Sequence, residues 1–204
     1  AAQSAGVLPV SLRESGARFI AMPGHKGLYG PQGTGILLCA DGGEPLLYGG
    51  TGSNSEEQDM PDFLPDRLEA GTHNVVGIAG LCEGIRYVLN KGAENIGGYE
   101  ARLCRETAER LGRVPTLEVF SSKDGTQAGV LSFRHRTIDC EEFCERLGKN
   151  GIAARCGLHC APLAHKSAGT VDTGTVRISF SPFISHQQAM QANAAIEKIA
   201  RSEN

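Results

Sequence analysis

Lys26 stands in the run Met22-Pro23-Gly24-His25-Lys26-Gly27-Leu28-Tyr29-Gly30-Pro31-Gln32-Gly33-Thr34-Gly35, directly after the apolar stretch Phe19-Ile20-Ala21. A primary amine where a buried strand opens into a glycine-rich loop suits Schiff-base chemistry with a carbonyl cofactor. Partial desolvation lowers an ammonium pKa and frees the nitrogen for attack. Glycines let the backbone close on whatever the lysine holds. The same composition also describes a solvent-facing lysine in a turn, and local pattern alone does not choose. A second cluster is Arg155-Cys156-Gly157-Leu158-His159-Cys160-Ala161-Pro162, followed by Gly174-Thr175-Val176-Arg177-Ile178-Ser179-Phe180. A thiol near an arginine, with a histidine that can carry charge, is in surroundings that favour the thiolate. Arginines on strands flanking a site can grip a carboxylate in a fork. The plain alternatives are a core cysteine at 160 and strand-end surface arginines at 155 and 177.

The elements that must position these groups follow from periodicity. Arg18–Met22 reads as a buried strand and Gly35–Cys39 as a second after the loop. Residues 40–72 are polar and glycine-rich without a sustained period, as in a functional or interface-covering loop. A helix is expected over Asn74–Asn90, with Asn74 as N-cap. Its glycines 77, 80 and 84 share one face, which implies another backbone packed very close, from a second domain or a partner subunit. A further helix is expected over Ile96–Leu111 with a Glu106–Arg110 pair on its wet face. Strands are expected at Thr116–Phe120, Ala128–Phe133, Ile152–Arg155 and Thr175–Phe180. Capping boxes at Asp139/Glu142 and Ser185/Gln188 open two more helices. Lys166–Gly174 has the composition of a mobile loop.

Composition excludes several function classes. With 204 residues, 40% hydrophobic and 21% charged, the chain is an ordinary globular one of one or two domains. A net charge of −3 argues for neither nucleic acid nor a membrane surface, and Arg134-His135-Arg136 reads as a solvated turn. No apolar run is long enough to span a bilayer, so the cytoplasm is the expected location. The seven cysteines form no Cys-x-x-Cys pair, which indicates neither a disulfide framework nor a zinc ribbon. Cys140 and Cys144, four apart on a helix, read as core. Cys156, His159 and Cys160 could be drawn as a metal site, but spacing supplies no fourth ligand, and no metal is expected.

Four motifs, in order, carry a resemblance. They are Gly24-His25-Lys26 before the glycine-rich loop, Phe63-Leu64-Pro65-Asp66-Arg67-Leu68-Glu69-Ala70-Gly71-Thr72, the Arg155-to-Pro162 run, and Gly174-to-Phe180. Together they resemble the cysteine desulfurase family, the class V branch of pyridoxal-phosphate enzymes, from Ala1 to about Ala200. The resemblance implies an α/β chain forming the C-terminal part of a fold-type I transferase. Residues 1–74 would be a remnant of the cofactor-binding large domain, and residues 75–204 a small C-terminal α/β domain. It further implies that Lys26 binds pyridoxal 5'-phosphate and moves the substrate's α-proton, that His25 meets the phosphate, and that Gln3 donates to the phenolic oxygen. Pro23 stands where the family commonly has a hydroxyl. Thr72, which the residues alone leave as either a plain cap or a hydroxyl at a phosphate-suited helix N-terminus, would reach the cofactor of the opposite subunit, implying a homodimer; His73 replaces a common proline. Arg177 would clamp the carboxylate of L-cysteine, with Arg155 near the active-site loop. Cys160 would take the sulfur as a persulfide, release alanine, and pass the sulfur on to an acceptor thiol, such as that of a sulfur-acceptor protein. The aspartate pairing with the cofactor ring and the ring stacking on it would precede Ala1. Residues 1–204 alone are therefore expected to bind cofactor weakly and turn over little. The rival readings are another class V reaction (aminotransferase, epimerase or selenocysteine lyase) and a catalytically incomplete portion acting only as a dimerisation module.

Overall fold

Ser11, whose hydroxyl accepts from the Glu14 amide, starts the first element, a single-turn helix α1 (Leu12–Ser15). A computed structural model describes all residues except 51, 53, 55, 123, 125, 203 and 204. It has two compact units, Ala1–Ile96 and Gly97–Asn204. In the first, β1 (Phe19–Pro23) and β2 (Gly35–Cys39) form an antiparallel pair running from Phe19 opposite Cys39 to Pro23 opposite Gly35. Pro23 lacks an amide proton, so it stands at the strand end where the ladder stops. After the long connection and a short 3-10 turn (Asp66–Leu68) comes α2 (Val75–Lys91). Asn74 caps it by accepting from the Gly77 amide at 3.0 Å. Ile20, Met22, Leu28 and Leu81 form the core of this unit.

The glycine face of α2 meets the Lys26 loop. A Cβ on Gly84 would lie 2.2 Å from the Leu28 carbonyl oxygen, one on Gly80 3.0 Å from Pro31, and one on Gly77 2.8 Å from the Thr34 methyl. At Gly84 the helix thus packs directly on loop backbone, and this first compact unit runs on through α2 to Ile96.

The chain enters the second unit through α3 (Ala93–Leu111). Its sheet is antiparallel throughout, in the order β3 (Leu117–Phe120), β4 (Val130–His135), β6 (Thr175–Ser179), β5 (Arg155–Gly157). Helix α4 (Cys140–Lys149) packs on β4, β5 and β6, and α6 (His186–Arg201) packs against α4. Leu111, Phe133, Phe143, Leu147, Val176 and Ile196 are fully buried between these layers. The rings of Phe133 and Phe143 meet edge to face at 6.2 Å.

Most elements fall where periodicity places them, and the exceptions have local causes. Ser185 and Gln188 form the expected reciprocal box at the start of α6. Asp139 caps α4 alone, accepting from the Glu141 amide, because Glu142 turns instead to Arg146 one turn on. Arg110 does not pair with Glu106. It grips Glu197 of α6 through two bonds of 2.9 and 2.8 Å, while Glu106 meets His186 at 2.8 Å. Packing of α6 on this face outcompetes the local helix pair. His135 is buried, not solvated: its Nδ1 accepts from the Ile138 amide at 3.0 Å and the Thr137 amide at 3.2 Å. All seven cysteines are free thiols, and Cys140 and Cys144 sit in or against the core.

Candidate active site

In the first unit, Lys26 sits on a loop closed by its own backbone. The Gly24 amide donates to Thr34 at 2.8 Å, the Gly30 amide to Gly24 at 2.8 Å, and the Tyr29 amide to Lys26 at 2.9 Å. Tyr29 takes a left-handed φ of 54° to complete the turn, with its ring edge-on to Tyr87. The N-terminal turn is locked to this loop. A Cβ on Gly6 would stand 1.8 Å from the Gly27 carbonyl oxygen, and one on Gly27 2.3 Å from that of Ala5. The amino terminus also donates to Ala21 at 2.8 Å. The glycine pair thus brings the turn carrying Gln3 against the Lys26 segment.

His25, Lys26 and Gln3 are all exposed. For Lys26 this differs from the partial burial expected of it: the loop is packed, but the amine projects from it into solvent. Among the described residues, the His25 and Lys26 side chains have no hydrogen-bond or ion-pair partner. Thr72 is also exposed, at the start of α2, and lines a cleft of about 360 Å³ with Gly71, His73 and the carboxylates Asp66 and Glu69. No hydrogen bond among the described residues joins Thr72 to His25 or Lys26.

In the second unit the sheet brings Arg155, Arg177, His159 and Cys160 together. Arg155 on β5 is directly opposite Arg177 on β6. Two guanidinium groups in that register repel, and an anion between them relieves the repulsion. Nε of Arg177 is buried without a protein partner. After β5 the chain leaves the sheet through Gly157 (φ 101°) and turns at His159 and Cys160, both left-handed at φ 52° and 59°. The Ala161 amide donates to Leu158 at 2.8 Å across this turn. It presents Cys160 exposed, 3.7 Å from Nη2 of Arg155.

His159 differs from the expected charged neighbour. Burial, then Arg177, hold its pKa below the ordinary 6.5, so at neutral pH it is neutral. Arg155 is thus the cation that meets the thiol. The stretch Lys166–Gly174 is not a loose loop either. Pro162 at the first turn starts helix α5 (Pro162–Ala168), and Gly169 ends it in the left-handed conformation. The buried pair His165 Nδ1 and Thr170 Oγ1, 2.8 Å apart, then ties the following turn to the helix. Sequence reasoning missed α5 although Pro162 and Gly169 bracket it. It also missed Thr175, whose carbonyl and hydroxyl oxygens both approach Nε2 of His159, at 3.1 and 3.0 Å. Only the spatial pairing of Gly157 with Thr175 discloses that contact.

Comparisons with known proteins bear on the family and the fold. The chain is 34% identical over 209 residues to a probable cysteine desulfurase of Methanothermobacter thermautotrophicus, covering 98% of this chain and 52% of that protein. It is 32% identical to a probable cysteine desulfurase of Pyrococcus abyssi. Among solved structures, the apo cysteine desulfurase of Thermococcus onnurineus superimposes with a TM-score of 0.87 at 32% identity, over 98% of this chain and 51% of that one. The Escherichia coli cysteine desulfurase CsdA, with an S-sulfonic acid, gives 0.82 at 26% identity, over 97% and 50%. The chain therefore spans about half the length of the relatives it matches. Residues 1–191 match the family model for class-V aminotransferases, and with that match over most of its length the chain belongs to the class-V aminotransferase family.

Proposed function

We propose that the protein is a pyridoxal-phosphate cysteine desulfurase, converting L-cysteine to L-alanine and taking the sulfur onto Cys160. The observation that carries this reading is a thiol on the turn after β5, presented 3.7 Å from Arg155, which faces Arg177 across the sheet. An anion-seeking arginine pair with a nucleophile at its edge suits an amino acid whose own side chain ends in sulfur. The cysteine desulfurases among the relatives and structural neighbours support the same reaction class.

The Lys26 loop fits the cofactor. Its amine and the His25 ring are exposed and uncommitted among the described residues, on a loop fixed by three backbone bonds and by α2. Lys26 would carry the aldehyde carbon, His25 would face the phosphate, and Gln3, held beside the loop by Gly6 and Gly27, would donate to the phenolic oxygen. When bound, pyridoxal phosphate supplies an electron sink that makes the substrate's Cα–H acidic. The chain's own residues then have separable tasks. Arg177 binds the substrate carboxylate through charge-assisted hydrogen bonds, with Arg155 adding charge beside it. Lys26, once its amine is free, holds the α-proton. The Sγ of Cys160 bonds to the substrate sulfur as the substrate's Cβ–S bond breaks, the bonding pair remaining with carbon, where protonation completes alanine. Neutral His159 orients the thiol's turn rather than charging it.

A homodimer, with Thr72 serving the partner's site, is part of this reading. It is supported by the exposure of Thr72 and of the apolar Val75 and Val76 beside it. Exposed Cys160 is open to a sulfur-acceptor thiol, and seven unpaired cysteines suit the reducing cytoplasm. Among the described residues, no helix is long and apolar enough to cross a membrane. The test is borohydride reduction with pyridoxal phosphate followed by peptide mapping. The reading predicts a stable adduct on Lys26, and loss of alanine release on Cys160→Ala with the adduct retained. Alanine release unchanged in Cys160→Ala would show that the sulfur does not pass through Cys160, and turnover of L-cysteine without alanine would point to another class V reaction.

A further inference from the structure

We propose that Thr175 is a positioning residue that acts through His159, latching the left-handed turn at His159–Cys160 so that the Cys160 thiol is held against Arg155. The inference rests on Cys160 as the nucleophile, but its test does not depend on cofactor or turnover.

Two successive non-glycine residues in the left-handed region are costly, since Cβ crowds the following carbonyl. Histidine enters that region more readily than most residues, but cysteine has no side chain that eases it, and the two stand in succession. Something outside the turn must therefore hold it. The Leu158–Ala161 hydrogen bond closes the turn but leaves its tilt relative to the sheet undetermined. The tilt is fixed by the imidazole of His159, which reaches back to the first residue of β6. Its Nε2 is 3.1 Å from the Thr175 carbonyl oxygen and 3.0 Å from Oγ1. A carbonyl only accepts, so Nε2 carries the proton and Nδ1 is left with a lone pair. That Nδ1 atom is buried without a protein partner, which fits a ring placed for its Nε2 side.

The latch has a rigid base. Thr175 is 2% exposed, and the neighbouring Val176 is fully buried in the core. On its other side the His159 ring rests against that of His165, with centroids 5.6 Å apart. His165 is in turn fixed by Thr170. A chain of contacts therefore runs from the central sheet and α5 to the imidazole, and through the turn backbone to Sγ of Cys160. Arg155 lies at the far end of it, on the strand paired with β6. A valine at 175 would keep the shape and strand preference of threonine while removing Oγ1.

Site-resolved alkylation by iodoacetamide, followed by mass spectrometry on the full chain, tests this. Exposed Cys82 serves as internal reference and fully buried Cys104 as a marker of unfolding. Thr175→Val should slow alkylation of Cys160 about fivefold, the equivalent of one lost hydrogen bond, with Cys82 unchanged and Cys104 protected. Thr175→Ser, which restores the hydroxyl, should return the rate to within about twofold. Arg155→Gln should slow Cys160 similarly, and the double variant should be no slower than either single one, because both break the same arrangement. An unchanged Cys160 rate in Thr175→Val, or additive losses in the double variant, would overturn the inference. Should Thr175→Val expose Cys104, nitrogen-15 NMR of the wild-type imidazole decides: an Nε2–H tautomer at His159 supports the latch and an Nδ1–H tautomer refutes it. Sulfur from L-cysteine settling on a thiol other than Cys160, with these rates as expected, would instead count against the desulfurase reading alone.

Discussion

Replacing Gly84 by alanine is the sharpest probe of how the Lys26 loop is held. In an unencumbered helix the change stabilises by about 1 kcal/mol, because glycine has the greater backbone freedom to lose. At Gly84 the new Cβ would lie 2.2 Å from the Leu28 carbonyl oxygen, with the Tyr29 backbone 2.8 and 2.9 Å away. Ordinary contact needs roughly 3.5 Å, so helix and loop must separate by about 1 Å. These are backbone atoms, with no flexible side-chain tip to swing aside. Overpacking of this kind costs about 1–3 kcal/mol. Because the strain falls on backbone, we place its cost at the upper end, about 2–3 kcal/mol, for a net loss of about 1–2 kcal/mol after the helix gain. Gly98, on α3, has nothing within 4 Å of its would-be Cβ, and Gly98→Ala should gain about 0.5–1 kcal/mol. Urea unfolding of both variants reads these opposite signs. Borohydride trapping reads the loop: Gly84→Ala should lower the fraction of Lys26 that captures pyridoxal phosphate, and Gly98→Ala should leave it unchanged. A Gly84→Ala protein with wild-type stability and wild-type trapping would refute the idea that α2 fixes the loop.

Other expectations follow from particular contacts. His159, whose folded pKa is depressed, adds stability that is present above 6.5 and lost as pH falls through its folded value, so an NMR titration should show a midpoint below 6.5. Glu197, held below its ordinary value first by its hydrogen bonds from Arg110, likewise contributes above about pH 4.5 and loses that contribution on acidification. Glu197→Gln should therefore cost about 0.5–1 kcal/mol at pH 7 and nothing near pH 2, as read by denaturant unfolding. Phe143→Ala should destabilise the second unit by about 3–5 kcal/mol, measured the same way, because its ring is fully buried against Phe133. Arg177→Lys should raise KM for L-cysteine about tenfold or more, since an ammonium does not reproduce a guanidinium fork.

Much of this was legible in the residues because it is local. A short apolar run after the glycine-rich loop marks β2, alternation marks β4, the Ser185/Gln188 box marks the start of α6, and Asn74 marks that of α2. The residue types on which the proposed site rests, an amine on a glycine loop and a thiol among arginines, are visible in the sequence. What escaped was long-range. The glycines of α2 predicted a close backbone without saying whose, and it is the Lys26 loop's own. Arg110 carried a local partner in sequence and found a better one on α6. His159 looked like a charge and is instead a neutral strut, because its state depends on burial and on Arg177, a strand away. Pairings between distant segments set these features, and no window of sequence contains both halves.

The account stands most directly on where sulfur and cofactor become attached. The protein would be incubated with pyridoxal phosphate and sulfur-34-labelled L-cysteine, reduced with borohydride in one portion and left unreduced in another, and mapped by mass spectrometry. The account predicts one labelled sulfur atom on the Cys160 peptide of the unreduced sample and the cofactor on the Lys26 peptide of the reduced one. Label settling on Cys82 or another thiol, or cofactor trapped at Lys91 or Lys166 with Lys26 unmodified, would contradict it.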